Sequence, residues 1–357
     1  MEKIMPDQHN NLMKTLRIAW PIIQAPMAGT STPALAAAVS NAGGLGSIGV
    51  GAMTANEARR AITDLRERTA QPFNVNVFCH PPVKKDATLE RQWLERLWPE
   101  FERVGAAPPD EIAEAYKSFL DDYAMLSVLL ETKPNVVSFH FGLPSAAWIA
   151  ALRDAGIILF STATNAVDAR LAVASGMHAI VAQGFEAGGH RGMFDQNAED
   201  TQLGTAVLVR ELVARVSLPV IAAGGIMDGA GIGAMLRLGA AATQLGTAFI
   251  ATEQSAADAA FRAAIFSEAA QHTVMTCAIS GRPARCLPNR FTALGKSVPA
   301  DKIPAYPVAY SAGKALHAAA KLKGEFGYGA YWAGQGAPLA RALSAEKLMA
   351  TLCKEMR

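Results

Sequence analysis

The stretch AIVAQGFEAGGHRG, residues 179–192, decides how this chain reads. It opens on a short apolar run, 179–181, the pattern of a strand buried on both faces in a parallel sheet. Polar Gln183 stands where the run ends, and a glycine-rich loop follows. Gly188 and Gly189 in that loop let backbone approach a ligand closely. His190 comes next, and histidine is the side chain whose ordinary pKa lies nearest neutrality. Strand, polar strand end, glycine loop and titratable ring make a catalytic corner. On these residues alone they equally make a turn with a surface histidine.

The same unit recurs on both sides. Apolar runs at 22–26, 45–50, 73–78, 136–141, 157–161, 219–223 and 242–245 alternate with helix signals. Thr32-Pro33 supplies an N-cap and a first helical residue. Thr54 and Glu57 form a capping box, Asn165 and Asp228 cap later helices, and Gly43, Gly156, Gly176 and Gly239 stop helices. Further helices are expected over 205–215 and 253–270. Parallel strands need such crossovers, and the count gives an α/β fold, a (β/α)8 TIM barrel. A doubly wound open sheet is the runner-up, although it would more naturally stop at five or six strands.

Two regions break the rhythm. Residues 79–133 are richer in charge and bounded by prolines, and they read as an insertion with helices at 89–104 and 110–130. Residues 271–338 hold Ser280-Gly281-Arg282-Pro283, a proline-spaced linker at 299–307, a helix around 310–321 and a glycine-aromatic run at 328–336. The expected organisation is a barrel over 1–250, a smaller appended α-rich substrate or lid domain over 251–337, and a helix over 338–357 returning to the barrel.

Composition narrows the function classes. Half of the 357 residues are hydrophobic, 18% are charged and the net charge is +2, so nothing points to nucleic acid or an anionic membrane. Cys79, Cys277, Cys286 and Cys353 form no CxxC pair and read as free thiols. The opening MEKIMPDQHNNLMKTLRIAW lacks an apolar core of signal-peptide length, and no apolar run reaches membrane-span length. A cytoplasmic protein is expected.

In a (β/α)8 barrel the chemistry sits at the carboxyl ends of the strands. Those ends read Met27 and Gly29, then Asn76, His140, Thr162, Gln183, Gly224-Gly225 and Gly246-Thr247. The last two pairs fall at the seventh and eighth strands, where such barrels bind phosphate through backbone N–H groups. No GxGxxG follows the first strand, so a Rossmann dinucleotide site is not expected. No HExxH or cysteine cluster suggests a metal. His140, on an apolar strand, reads more readily as structural than His190 does. Tyr306, Tyr310 and Lys314 recur every four residues and would share one helix face. That face is either a packing stripe or a set of donors and one cation aimed at an anionic ligand.

Taken together, the segments IIQAPMAGTSTPALAAAVSNAGGLGSIGVG, NVNVF, HFG, AIVAQGFEAGGHRG, PVIAAGGIMDGAGI, QLGTAFI, SGRPAR and YPVAY with Lys314 resemble the nitronate monooxygenase family, formerly called 2-nitropropane dioxygenases, in its bacterial class I branch. The resemblance spans almost the whole chain. It implies an FMN-dependent (β/α)8 enzyme that oxidises alkyl nitronates with O2 to a carbonyl compound and nitrite, with propionate 3-nitronate as a typical toxic substrate. Carried over by motif, His190 is the catalytic histidine. His140, Tyr306, Tyr310 and Lys314 lie on the substrate side, and Trp332 to Gln335 come near it. Met27, Gln183, Gly188, Gly224, Gly225, Gly246 and Thr247 hold FMN. The expected partners are a small-molecule nitronate and O2, without nucleic acid or membrane, in a monomer or homodimer. A protonatable His190 and Lys314 suit an anionic substrate. The competing readings are an FMN-dependent NADH:quinone or enoyl-thioester reductase of the same superfamily, and a non-catalytic flavin-binding barrel.

Overall fold

The structure, a computed structural model, describes residues 7–356, with side chains from Leu12 onward. The first six residues of the opening segment, read above as carrying no signal peptide, lie outside the described residues. The strands, in chain order, are β1 (Ile22–Gln24), β2 (Gly46–Gly49), β3 (Phe73–Phe78), β4 (Val136–His140), β5 (Ile158–Ala163), β6 (Ala179–Gln183), β7 (Gly189–His190), β8 (Val220–Ala223), β9 (Ala242–Leu245), β10 (Val274–Thr276) and β11 (Ala284–Cys286). Eight of them form one parallel sheet in the order β1-β9-β8-β6-β5-β4-β3-β2. Hydrogen bonds from Gln24 N to Leu45 O (2.9 Å) and from Leu45 N to Ile22 O (2.9 Å) join the two ends and close the ring. This is the (β/α)8 barrel.

The alternation of strand and helix follows from local chemistry. Thr32 accepts from Leu35 N ahead of Pro33, Thr54 and Glu57 form a reciprocal capping box, and Asn165 and Asp228 cap their helices with side-chain oxygens. The barrel interior is apolar near the strands' amino ends, where Val136, Phe160, Ala179 and Ala242 pack together. Leu12 and Leu16, four residues apart on the helix Asp7–Leu16, join that cluster and close this end of the ring. The opposite, carboxyl end is left open for a ligand.

Departures from the expected pattern have tertiary causes. The helix expected over 110–130 is irregular as far as Ser118, then a 3-10 turn Phe119–Asp121, then a helix Tyr123–Thr132. Ser118 is drawn away to donate to His80 O (2.6 Å), and Asp122 starts the real helix by accepting from Met125 N (3.1 Å). The helix expected over 253–270 is two pieces, Ala259–Ile265 and the 3-10 segment Glu268–His272. Before them the chain wraps round Arg262, whose guanidinium donates to the carbonyls of Thr252 (2.7 Å), Ser255 (2.9 Å) and Ala257 (2.9 Å).

The insertion is less a barrel ornament than half of a second core. Trp93, Leu97 and Phe101 of the helix Ala87–Arg103 pack with Phe291, Leu316 and Ala320, the last two on the helix Val308–Leu322. Truncating one fully buried aromatic here, such as Phe101 at 1% exposure, costs about 3–5 kcal/mol. This second core carries more than helices. β10 pairs antiparallel with β11, and β11 with β7, a two-residue strand that arises from the barrel's own glycine loop. The helix Ala345–Glu355, capped by Ser344, packs back on the barrel helices Pro33–Asn41 and Gly229–Arg237.

Candidate active site

A cavity of about 290 Å³ opens at the carboxyl end of the barrel. Met27, His140, Gln183, Gly188, His190, Gly224, Gly225, Gly246, Thr247, Tyr306, Tyr310 and Lys314, every site residue expected from the sequence, line it. The volume stands at the small end of ordinary ligand pockets, roughly 300–1,000 Å³.

His190 is placed by pairing, not by a free loop. Its partner across β7 and β11 is Ala284, and Arg191 N donates to Pro283 O (2.8 Å) just beyond. Gln183, at the end of β6, fixes the same segment from the barrel side. Its Nε2 donates to His190 O (2.9 Å) and its Oε1 accepts from Gly192 N (2.8 Å). The Gln183 carboxamide is thus committed to the protein.

The His190 ring has one nitrogen engaged: Nε2 lies 2.9 Å from Ser280 Oγ. Ser280 is fully buried, and its hydroxyl donates to Arg282 O (3.2 Å). With its only proton used there, the Ser280 oxygen accepts from His190 Nε2–H, which leaves Nδ1 as the basic nitrogen. The ring is walled by aromatics, with centroids of Trp332 at 4.9 Å, Tyr306 at 5.1 Å and Phe141 at 5.8 Å.

Electrostatics make this imidazole neutral. Burial holds the His190 pKa well below the ordinary histidine value, and the Arg282 charge and His140 push it the same way. The free site therefore presents a neutral imidazole, the form a base requires. His140 is neutral too: burial first, then Arg282, takes its pKa down to about 3. Its Nδ1 lies 3.0 Å from Thr162 Oγ1 and its Nε2 lies 3.3 Å from His190 O, so it braces the β7 backbone.

Phe141, next after His140, has φ +75°, a conformation that costs a residue with a Cβ on the order of 1 kcal/mol or more. It packs against both histidine rings at 4.3 and 5.8 Å, so the strain sits beside the site.

Tyr306, Tyr310 and Lys314 all reach the cavity, but they do not share one helix. The helix is Val308–Leu322, and Tyr306 precedes it, ahead of Pro307. The Tyr306 hydroxyl is buried without a hydrogen-bond partner, and burial raises its pKa, so it stays protonated. Lys314 Nζ lies 4.3 Å from the Tyr116 ring and 5.1 Å from the Tyr310 ring at the rim. Desolvation lowers its pKa.

The opposite wall is built from backbone. Gly224 and Gly225 follow β8 with φ +131° and +68°, and Gly246 and Thr247 follow β9. The N–H groups of Gly225, Gly246 and Thr247 have no acceptor among the described residues. Free amides at the ends of adjacent strands are what an anionic phosphate requires. A Cβ at Gly188 would come within 2.5 Å of Gly334 N and one at Gly224 within 2.6 Å of Thr205 Oγ1, so these turns admit no side chain. This wall fits a phosphorylated cofactor such as FMN. Thr247 Oγ1 itself accepts from Gly334 N (2.9 Å), and Gln335 N donates to Glu186 O (2.9 Å), which ties the appended segment onto the wall.

A profile of the family described as nitronate monooxygenase matches residues 9–355. The chain belongs to that family. It is 59% identical over 346 residues to a nitronate monooxygenase of Paraburkholderia phytofirmans, covering 97% of this chain and 94% of that protein. It is 51% identical to the enzyme of the same name from Pseudomonas aeruginosa, with 96% and 98% covered. Among solved structures, nitroalkane oxidase from Streptomyces ansochromogenes superposes with a TM-score of 0.88 at 40% identity over 97% of both chains. The nitronate monooxygenases are flavin-dependent oxidoreductases acting on small molecules. Among the described residues no helix is long and apolar enough to cross a membrane.

Several lining or supporting residues escaped the sequence reading. Tyr116 comes from the irregular part of the insertion and gave no periodic signal. Ser280 and Arg282 sat in a quoted motif, SGRPAR, without a role. Glu186, four residues before His190, accepts from Thr205 N (3.0 and 2.8 Å) and from Thr205 Oγ1 (2.8 Å), so it caps the helix Thr205–Arg215 and anchors the glycine loop.

Proposed function

We propose that this chain is an FMN-dependent nitronate monooxygenase that converts alkyl nitronates, propionate 3-nitronate among them, with O2 into a carbonyl compound and nitrite. The observation that carries this reading is the pairing of a neutral, Ser280-oriented His190 with a wall of unaccepted backbone amides in one cavity. Gly225, Gly246 and Thr247 would hold the FMN phosphate through N–H groups, with Met27, Gly188 and Gly224 along its length; Gln183 lines the same cavity, but its carboxamide is engaged with the His190 segment. Bound there, FMN supplies the electron-accepting and O2-reducing chemistry, and the protein supplies position and field.

The chain's own residues divide the remaining work. His190 Nδ1 takes the proton from the α-carbon of a neutral nitroalkane, and Ser280 holds the tautomer that makes this possible. Once the proton has moved, an imidazolium faces a nitronate anion, and the opposite charge supports the protonated ring that burial had disfavoured. A preformed nitronate needs no base. His140 braces the His190 backbone. Tyr306 and Tyr310, both kept protonated by burial, offer hydroxyls on the substrate side, and Lys314 offers a cation at the mouth. Phe141, Tyr306 and Trp332 wall the imidazole on its protein side.

The test is oxygen uptake by the purified yellow protein after addition of propionate 3-nitronate, beside NADH oxidation with a quinone. Rapid uptake without NADH consumption is expected. NADH oxidation with no response to nitronate would move the protein to the reductases of this fold.

A further inference from the structure

Arg282 is a buried cation that the proposed chemistry leaves without a role. It is 1% exposed. Its Nε donates to Arg191 O (3.2 Å), Nη2 donates to Met193 O, and Nη1 has no acceptor. Its centre lies 4.2 Å from the Phe141 ring, which lines the cavity and sits 5.8 Å from the His190 ring. Among the described residues the guanidinium forms no ion pair. Asp168 and Asp195 act on it only through space, and Tyr306 and Cys277 also face it. On the site's side the groups under its field are His80, His140 and His190.

A buried cation without a paired carboxylate is costly to fold around. Two carbonyl hydrogen bonds do not require a charge; a neutral donor would make them. We infer that Arg282 supplies the fixed positive charge of this active site and favours an anion in the cavity, the nitronate over its neutral parent. The guanidinium does not touch the substrate, so it is a positioning residue that acts through its field and the Phe141 ring. Its effect is twofold. It adds to the burial that already disfavours protonated histidine beside it, and it stabilises the negative charge left when a proton passes from the α-carbon to His190 Nδ1. Cation-lined, low-dielectric cavities concentrate anions in this way. The choice of nitronate as that anion rests on the proposed function; the anion preference itself does not.

The experiment compares the flavin-loaded wild type with Arg282→Met and Arg282→Lys. KM is measured for an alkyl nitronate and for its parent nitroalkane, and nitrate, an inorganic stand-in for the nitro group, is titrated by calorimetry. Arg282→Met is expected to raise the nitronate KM and the nitrate Kd by roughly tenfold or more. Its KM for the neutral nitroalkane should move by less than about threefold, while kcat on that substrate falls. Arg282→Lys, which keeps the charge without the planar fork, is expected to retain both anion constants within about threefold. If Arg282→Met does not fold, Cys277→Asp places a carboxylate beside the intact guanidinium and should weaken nitrate binding in the same direction. Equal losses for anion and neutral substrate, unchanged nitrate binding, or a lysine variant no better than methionine would overturn the assignment and leave Arg282 as a structural fork. If the wild type turns over no nitronate, the proposed function fails. The nitrate titration then decides the anion preference alone, supporting it if Arg282→Met binds more weakly and overturning it if binding is equal.

Discussion

The two walls of the cavity are made in different ways. The wall at β8 and β9 is backbone: glycines at strand ends with unaccepted N–H groups, each held by the barrel's own register. The His190 wall is side chain: an imidazole, its Ser280 partner, buried Arg282 and a ring of aromatics, drawn from the end of β4 (Phe141), β7, the turn before β11, the entry to the helix Val308–Leu322 (Tyr306) and the segment of Trp332. The backbone wall needs only that side chains be absent. The side-chain wall needs five segments to arrive together. The first should therefore fail completely when a Cβ is added, and the second should fail by degrees as its members are removed.

The largest effect is expected from Gly225→Val. At φ +68°, and with a Cβ only 3.2 Å from Glu186 Cβ, a branched residue distorts the turn and moves its amide. The purified variant should lose its visible flavin absorbance, while far-UV dichroism stays barrel-like. A fully flavinated variant would remove the cradle from this wall.

His190→Asn comes next. The rate on a neutral nitroalkane should fall by about 10²- to 10⁴-fold in kcat/KM, the usual worth of a positioned base. A preformed nitronate should lose less than about tenfold. Parallel losses on both would show that His190 positions the substrate and does not remove its proton.

Acid should unsettle the side-chain wall. His140, with its pKa down to about 3, and His80, down to about 4, are neutral in the folded chain. In the unfolded chain both protonate below about pH 6.5. The unfolded state then binds more protons, so stability is full above pH 6.5 and falls as the pH drops towards 4, by up to roughly 1.4 kcal/mol per pH unit for each histidine. Urea midpoints taken between pH 7.5 and 5 should decline, and an unchanged midpoint would mean that these rings are already charged when folded.

Ser280→Ala should have the smallest effect. It removes one buried hydrogen bond to His190 Nε2, worth about 1–1.5 kcal/mol, so kcat/KM on nitroalkanes should drop about tenfold with nitronates nearly untouched. A variant equal to wild type on nitroalkanes would mean that the ring keeps its tautomer without the serine.

The barrel was legible because each strand is a short apolar run and each helix announces itself by a cap, both decided within a dozen residues. The glycine wall was legible for the same reason: Gly224-Gly225 and Gly246-Thr247 follow directly on their strands. Tyr116 was not, since its place in the cavity comes from an irregular stretch shaped by tertiary bonds such as Ser118 to His80 O. Nor was the strand state of His190, because two residues carry no periodic pattern and their partner Ala284 lies far along the chain. The expectation of a helix face carrying Tyr306, Tyr310 and Lys314 held for the last two and missed Tyr306, which Pro307 separates from the helix.

By itself the sequence determined the ring of strands, the caps that set its helices, the glycine turns of the backbone wall and the strand-end residues, His140 and Gln183 among them, that face the cavity. Only the tertiary structure decided that the insertion helix and the appended segment share one core, that His190 is neutral with Nδ1 free, and that Arg282 lies buried beside Phe141 without a carboxylate partner. The physical reason is range. Propensity, capping and backbone freedom act between neighbours in sequence, whereas a buried charge and the pKa of a ring depend on groups brought together from distant parts of the chain.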